Sequence, residues 1–121
     1  MAARVLVVED DPKMAAIIER ALLMASYDTA VAATGDQALW AVLNHEPAAM
    51  VLDVMIPHPS GIEVCRHLRN QGWSGAVVVV SARSSPADRD AAFRAGADAF
   101  LAKPFALTDL VATVEDLISR T

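Results

Sequence analysis

Short apolar runs alternate along the chain with segments that repeat hydrophobic residues every three or four positions. The runs are typical of strands buried on both faces. They cover Val5–Val8, Thr29–Ala32 (the weakest), Met50–Leu52, Ala76–Val80 and Ala99–Ala102. The spaced segments predict a helix after each strand.

The helix boundaries carry recognisable signals. Asp11 is placed to cap the first helix and Pro12 to occupy its first turn. The fourth helix is predicted to begin at Ser84–Pro86 and to stop at Gly96, and the last to begin near Ala106 or Thr108. The spacing predicts these apolar faces: Met14, Ile17, Ile18, Ala21 and Leu22 in the first helix; Ala38, Leu39, Val42 and Leu43 in the second; Leu107, Leu110, Val111, Val114, Leu117 and Ile118 in the last.

Five strands alternating with five helices indicate an α/β fold. Fully apolar strands imply a parallel sheet covered by helices on both faces. Because crossovers between parallel strands are right-handed, the arrangement is expected to be doubly wound. In such sheets, binding sites lie at the carboxyl ends of the strands.

Composition narrows the class of protein. The chain has 121 residues, 55% of them hydrophobic, and a mean hydropathy of +0.36, which excludes a disordered chain. Its net charge of −5 argues against direct binding to nucleic acid or to an anionic membrane. No apolar run is long enough to span a membrane. Cys65 is the only cysteine, so no disulfide framework is expected. We expect one cytoplasmic domain.

Polar residues stand at four predicted strand ends. Glu9 and Asp10 follow the first strand, Asp53 the third, Ser81 the fourth and Lys103 the fifth. Since the carboxyl ends of parallel strands share one edge, these side chains should converge. Clustered carboxylates repel one another and call for a cation, and Mg²⁺ prefers oxygen ligands.

The same residues suit phosphoryl chemistry. A carboxylate beside a divalent ion can act as a nucleophile toward phosphorus and form an acyl phosphate. An ammonium and a hydroxyl can then hold the phosphoryl oxygens. Each residue type alone has an ordinary structural explanation, so the prediction depends on the combination.

With these residues in view, the chain resembles the receiver domain of bacterial two-component response regulators, nearest the OmpR/PhoB-like subgroup. The resemblance covers essentially the whole chain and implies a flavodoxin-like five-stranded parallel sheet of order 2-1-3-4-5 with five helices. The matching stretches are Val5–Asp11, Val51–Pro57 with Gly61, Ser81–Arg83 and Gly96–Phe105.

The resemblance implies a role for each acidic residue. Asp53 matches the aspartate that accepts the phosphoryl group. Asp10 matches the direct ligand of Mg²⁺ (or Mn²⁺), and Glu9 the second acid, which usually acts through water. Met55 matches the position whose backbone carbonyl binds the metal. Met55 and Arg83 also match positions that tune the phosphoryl lifetime.

Further roles follow at the fourth and fifth strands. Ser81 and Lys103 match the residues that hold the phosphoryl group, and the Lys103–Pro104 bond is typically cis. Phe100 matches the switch aromatic that turns inward when Ser81 moves. Because Phe100 lacks a ring hydroxyl, its switching would depend on packing.

The resemblance also implies partners. A sensor histidine kinase would donate the phosphoryl group, and the domain would catalyse its own phosphorylation and slow dephosphorylation without being a conventional enzyme. The output face would be the fourth helix, fifth strand and fifth helix, which form homodimers in the subgroup. That dimer's charge network is incomplete here, because Ala99, Thr113 and Glu115 stand at its charged positions.

The chain 1–121 is expected to be a receiver domain with no effector domain. It stops where a linker to an effector domain, through which such regulators control transcription, would begin. It is therefore either a whole protein or a part of a longer regulator, and both readings stay open.

Three other functions fit the sequence less well. A non-phosphorylated pseudo-receiver, used for protein docking, would not need the acidic cluster. A phosphatase of the haloacid dehalogenase type requires Asp-x-Asp after the first strand, which Glu9–Pro12 does not provide. A flavodoxin-type flavin carrier requires a Ser/Thr/Gly-rich phosphate loop, which Asp10–Lys13 is not.

Overall fold

In the computed structural model, which describes residues 2–120, parallel strands alternate with helices from end to end. The strands are β1 (Arg4–Val8), β2 (Asp28–Ala32), β3 (Ala49–Asp53), β4 (Ala76–Ser81) and β5 (Ala99–Ala102). The helices are α1 (Pro12–Met24), α2 (Gly35–His45), α3 (Gly61–Asn70), α4 (Pro86–Ala95) and α5 (Leu107–Ser119).

The strands form one sheet in the order β2-β1-β3-β4-β5, with every neighbouring pair parallel. This order confirms the predicted fold class. The strand order reverses between β1 and β3, so the carboxyl ends of these two strands border the crevice where such sheets place their sites.

Alternate strand residues pack into two separate cores, one on each face of the sheet. One core includes Ile18 and Leu22 of α1 and Leu110 and Val114 of α5. The other receives α2, α3 and α4, with Val64 and Leu68 of α3 among its buried residues. β3 and β4 are buried along their whole length because both faces are covered, which explains their continuous apolar runs.

The helix ends largely follow the predicted signals. Asp11 caps α1 by accepting a hydrogen bond from the backbone N–H of Lys13, and Gly96 ends α4 in a left-handed conformation. The prediction that Leu43 shares the buried face of α2 is wrong. Leu43 lies one residue, about 100°, beyond the buried Val42, and its side chain is 80% exposed. In α1, Ile17 is likewise half exposed.

Arg69 connects several loops at the end of the sheet opposite the acidic residues. The Arg69 guanidinium donates hydrogen bonds to the carbonyl oxygens of Trp73, Gly75 and Gly96 at 2.7–3.0 Å and pairs with Asp98 at 3.0 Å. It also lies 5.4 Å from the centre of the Trp73 ring. These contacts join the end of α3 to the start of β4 and the end of α4.

Within residues 2–120, no helix has both the length and the apolar character needed to span a membrane.

Candidate functional site

The register of the sheet brings the predicted site residues to one edge. Val8, the last residue of β1, pairs with Leu52, so Glu9 lies level with Asp53. Asp53 pairs with Val80 of β4, whose last residue, Ser81, pairs with Ala102. Lys103 follows directly. The polar side chains that are far apart in sequence therefore meet beyond the carboxyl ends of β1, β3, β4 and β5.

Lys103 bridges two buried carboxylates at the centre of this group. Its Nζ lies 2.7 Å from Glu9 Oε1 and 2.7 Å from Asp53 Oδ2. Glu9 is 2% exposed and Asp53 is 4% exposed, so neither acid can be hydrated freely. Buried carboxylates are stable only when paired, and Lys103 supplies that pairing for both.

Backbone amides hold the remaining oxygens of these two acids. Asp53 Oδ1 accepts a hydrogen bond from the N–H of Met55 at 2.9 Å, and Glu9 Oε2 accepts one from the N–H of Asp11 at 3.2 Å. Gly61 lies against the backbone of Asp53, where a Cβ atom would collide with the Asp53 carbonyl oxygen. The loop after β3 can therefore fold back over Asp53 only because residue 61 is glycine.

Burial and charge shift the pKa values at the site. Burial raises the pKa of Glu9 above 4.5; the hydrogen bond from Lys103 opposes this shift, and the neighbouring Asp53 adds to it. Burial alone would lower the pKa of Lys103, but the two carboxylates outweigh burial and raise it above 10.5. Lys103 is therefore a cation at neutral pH, and its charge is paired with the two acids.

Asp10 completes an acidic group that is suited to a divalent cation. One carboxylate oxygen from each of Glu9, Asp10 and Asp53 lies within 4.8 Å of the others, and Asp10 is exposed to solvent. Three carboxylates and the Lys103 ammonium leave a net charge of −2, which one divalent ion neutralises. Hard oxygen ligands in this number fit Mg²⁺ or Mn²⁺.

Met55 lies next to this acidic group, because its backbone N–H donates a hydrogen bond to Asp53. Its side chain is 56% exposed. The binding of a metal by its carbonyl oxygen stays a prediction. Arg83, the second predicted lifetime-tuning residue, is exposed at the start of the loop after β4, and its guanidinium lies 4.0 Å from Asp88.

Ser81 and Phe100 occupy the β4–β5 side of the site. Ser81 is buried, and its Oγ accepts a hydrogen bond from the N–H of Arg83 at 3.0 Å. The Phe100 ring already lies inward, at 9% exposure. The Lys103–Pro104 peptide bond is cis.

The sequence analysis missed one contact of Phe100. The guanidinium carbon of Arg89 in α4 lies 4.8 Å from the centre of the Phe100 ring. A signal was available, because Arg89 has no acidic residue three or four positions away in α4. By contrast, Arg94 pairs with Asp90 at that spacing.

The three positions that depart from the subgroup's dimer pattern lie on β5 and α5, but Glu115 lines a cavity with Ala21 and Met24 and so lies on the α1 side of α5. Ala99 is half-buried in β5, and Glu115 is exposed on α5. The Thr113 hydroxyl donates a hydrogen bond to the Asp109 carbonyl oxygen within its own helix, at 2.7 Å. The incompleteness of the dimer charge network stays a prediction.

Comparison with known proteins identifies the relatives of this chain. The family described as response regulator receiver domain matches residues 5–115. Response regulator MprA of Mycobacterium sp. (strain KMS) is 43% identical over 121 residues, which cover 100% of this chain and 53% of that protein. MprA of Mycobacterium tuberculosis (strain ATCC 25177 / H37Ra) is 42% identical over the same length. The chain spans about half the length of the curated relatives it matches.

Solved structures agree with this assignment. The receiver domain of the Francisella response regulator 1452 superposes with a TM-score of 0.94 at 32% identity, over 98% of both chains. The BeF3-activated N-terminal receiver domain of Klebsiella pneumoniae RstA superposes with a TM-score of 0.90 at 28% identity, over 95% of this chain and 97% of that one.

Proposed function

Because this chain belongs to the response regulator receiver domain family, we propose that it is a switch activated by phosphorylation of Asp53. The observation that carries the proposal is the bridge of Lys103 between Asp53 and Glu9, with Asp10 beside them. The bridge places a buried nucleophile, a fixed cation and the acids for a divalent ion within one small volume.

The chain's own residues supply most of the chemistry. An oxygen of the Asp53 carboxylate forms the bond to phosphorus while the bond between phosphorus and the donor's leaving atom breaks; with a phosphohistidine donor, the imidazole nitrogen keeps the electron pair. The Lys103 ammonium, already 2.7 Å from Asp53 Oδ2, would pair with the phosphoryl oxygens. The Ser81 hydroxyl would turn from the Arg83 amide to donate to another of them.

A divalent metal ion would be held by Glu9, Asp10 and Asp53, with the Met55 carbonyl oxygen as a further ligand. When bound, Mg²⁺ or Mn²⁺ supplies positive charge that offsets the repulsion between the carboxylates and an incoming phosphoryl group. The net charge of −2 among the site's four charged side chains supports this assignment.

The donor and the output are further parts of the proposal. Receiver domains of response regulators interact with histidine kinases, and we propose a sensor histidine kinase as the donor. We further propose that phosphorylation, through Ser81, raises the fraction of chains in which the Phe100 ring lies inward and thereby changes the α4–β5–α5 face. The chain would then be part of a cytoplasmic regulator of transcription whose effector domain lies outside residues 1–121. The domain would also catalyse slow loss of its own phosphoryl group, with Met55 and Arg83 tuning the rate.

Intact-mass spectrometry after incubation with acetyl phosphate tests the proposal. The wild-type chain should gain one phosphoryl group when Mg²⁺ is present and none when the metal is chelated. Asp53→Asn should gain none while keeping its circular dichroism spectrum. Asp28→Asn, which changes an exposed aspartate at the start of β2, should be labelled like the wild type.

The opposing results are equally clear. Full labelling of Asp53→Asn would contradict the site assignment. Beryllofluoride is an analogue of the phosphoryl group. If the folded wild-type chain does not bind beryllofluoride and is labelled neither by acetyl phosphate nor by a phosphorylated kinase, the pseudo-receiver function is supported instead.

A further inference from the structure

The Phe100 ring is buried although its strand has only one neighbour in the sheet. The ring stands on a strand at the edge of the sheet, yet it is 9% exposed. It has no hydroxyl group that could anchor it by a hydrogen bond. Its inward position therefore depends on the groups that pack against its faces.

Arg89 covers one of those faces. Its guanidinium carbon lies 4.8 Å from the ring centre, within the distance at which a cation is attracted to the π face of an aromatic ring. Its Nε donates a hydrogen bond to the Ser84 carbonyl oxygen at 3.3 Å, which orients the guanidinium. Within the part of the chain that the structure describes, no carboxylate forms an ion pair with Arg89, so the ring is its main partner.

The Phe100 ring lines a cavity that also borders the functional site. This cavity has a volume of about 120 Å³ and is lined by both Phe100 and Ser81, together with Met55 and residues of α4. The ring forms part of the wall of the space that the Ser81 side chain borders. Outward movement of the ring would enlarge that space and remove a surface that restricts Ser81.

We propose that Arg89 is a positioning residue: its guanidinium holds the Phe100 ring inward, and the ring in turn keeps the Ser81 hydroxyl ready to bind a phosphoryl group. This inference rests on the proposed function for its second step only. The first step, from Arg89 to Phe100, is a property of the unphosphorylated chain and can be tested alone.

The expected effect is modest and measurable. A cation over an aromatic ring at a partly exposed position should change the ratio of inward to outward ring conformers about two- to fivefold. Arg89→Met keeps a long side chain over the ring and removes the charge. Arg89→Lys keeps the charge and should retain part of the effect.

Nuclear magnetic resonance on protein with ¹³C-labelled phenylalanine rings tests the first step. A soluble gadolinium chelate broadens ring signals in proportion to solvent exposure, and Phe100 is assigned by the signal lost in Phe100→Leu. Broadening at Phe100 should increase in Arg89→Met, increase less in Arg89→Lys, and stay at the wild-type level in Arg94→Met. Arg94 lies on the same helix but pairs with Asp90, which makes it a matched control.

Unchanged exposure of Phe100 in Arg89→Met, with the fold intact, would overturn the proposal. An equal increase in Arg94→Met would overturn it as well, because the effect would then come from lost helical charge in general.

Titration with beryllofluoride in the presence of Mg²⁺ tests the second step. Arg89→Met should bind beryllofluoride about two- to fivefold more weakly than the wild type. In a Phe100→Leu background the same substitution should have no effect, because the ring through which Arg89 acts is gone. A purely structural role of Arg89 would persist without the ring and would contradict the proposal.

The two failures can be told apart. If the wild-type chain does not bind beryllofluoride, the proposed function fails, while the gadolinium measurement still decides whether Arg89 holds the ring. If beryllofluoride binds equally to wild type and Arg89→Met although the ring becomes exposed, the connection from Phe100 to Ser81 is refuted.

Discussion

Replacing Asp10 by asparagine should make the metal-free protein more stable. Asp10 is exposed, and one of its carboxylate oxygens lies within 4.8 Å of oxygens of both Glu9 and Asp53. The three carboxylates share one ammonium group, that of Lys103, which is already engaged by the two buried acids. The charge of Asp10 is therefore largely repulsive, and a site built for a cation should gain stability when that charge is removed.

The magnitude follows from Coulomb's law. At 4.8 Å, two unit charges repel by about 0.9 kcal/mol when fully screened by water, which is the appropriate limit for an exposed side chain. Two such pairs give about 2 kcal/mol, and the lost attraction to Lys103 reduces the net gain to about 1 kcal/mol. For a domain of this size, that gain corresponds to a rise in Tm of about 3–5 °C.

Thermal unfolding with and without Mg²⁺ provides the assay. In chelator at low salt, Asp10→Asn should unfold at a higher temperature than the wild type. With Mg²⁺ at about 100 times Kd, the wild type should gain about 2.7 kcal/mol and the variant much less. The order of the two proteins should therefore reverse. At about 1 M NaCl the metal-free difference should shrink, because the Debye length falls to about 3 Å.

A metal-free Asp10→Asn that is less stable than the wild type would refute this reasoning, because Asp10 would then be a structural residue of its loop. An equal gain with Mg²⁺ for both proteins would show that Asp10 is not a ligand. Asp28→Asn is the control, since it removes an exposed carboxylate outside the acidic group and should change neither quantity.

Three further results are expected. Gly61→Ala should slow labelling of Asp53 by acetyl phosphate, measured by intact mass, because the added Cβ collides with the Asp53 carbonyl oxygen. Arg69→Ala should lower the free energy of unfolding, measured in urea, by about 2–3 kcal/mol, because it removes a charged donor that several carbonyl groups share. Arg69→Lys should restore less than half of that lost stability. Ser85→Ala should raise the pKa of Asp88, measured by carboxyl ¹³C shifts. The Ser85 hydroxyl donates a hydrogen bond to the Asp88 carboxylate, and this bond is the main cause that holds the pKa of Asp88 below 3.8.

The sign of the last effect sets its pH window. Since the folded-state pKa of Asp88 lies below its usual 3.8, its ionised form stabilises α4 above that pH, and the stabilisation is lost as pH falls through the folded-state value. An unchanged Asp88 titration in Ser85→Ala would contradict this explanation. Wild-type labelling of Gly61→Ala, or full stability of Arg69→Ala, would contradict the other two.

Most strands and helix ends of this protein could be predicted from the sequence, because each depends on residues close together in the chain. A buried parallel strand needs continuous apolar residues, as in Ala76–Val80, and an N-terminal helix cap needs a side chain such as Asp11 next to its own helix. The carboxyl ends of parallel strands share one edge, so the placement of Glu9, Asp53 and Lys103 followed from the order of elements alone. The resemblance added expected roles and the strand order.

Only the tertiary structure decided which groups touch. Lys103 lies 94 positions from Glu9 and 50 positions from Asp53 in the sequence, yet it bridges both acids. The hydrophobic pattern of the chain does not predict such a contact. The same is true of Arg89 over Phe100. The exposure of Leu43 shows the same limit, because spacing along α2 gives the width of an apolar face, whereas the neighbours of the helix decide which side is covered. Local conformation follows from each residue's own chemistry, but pairing between distant side chains exists only once the chain has folded.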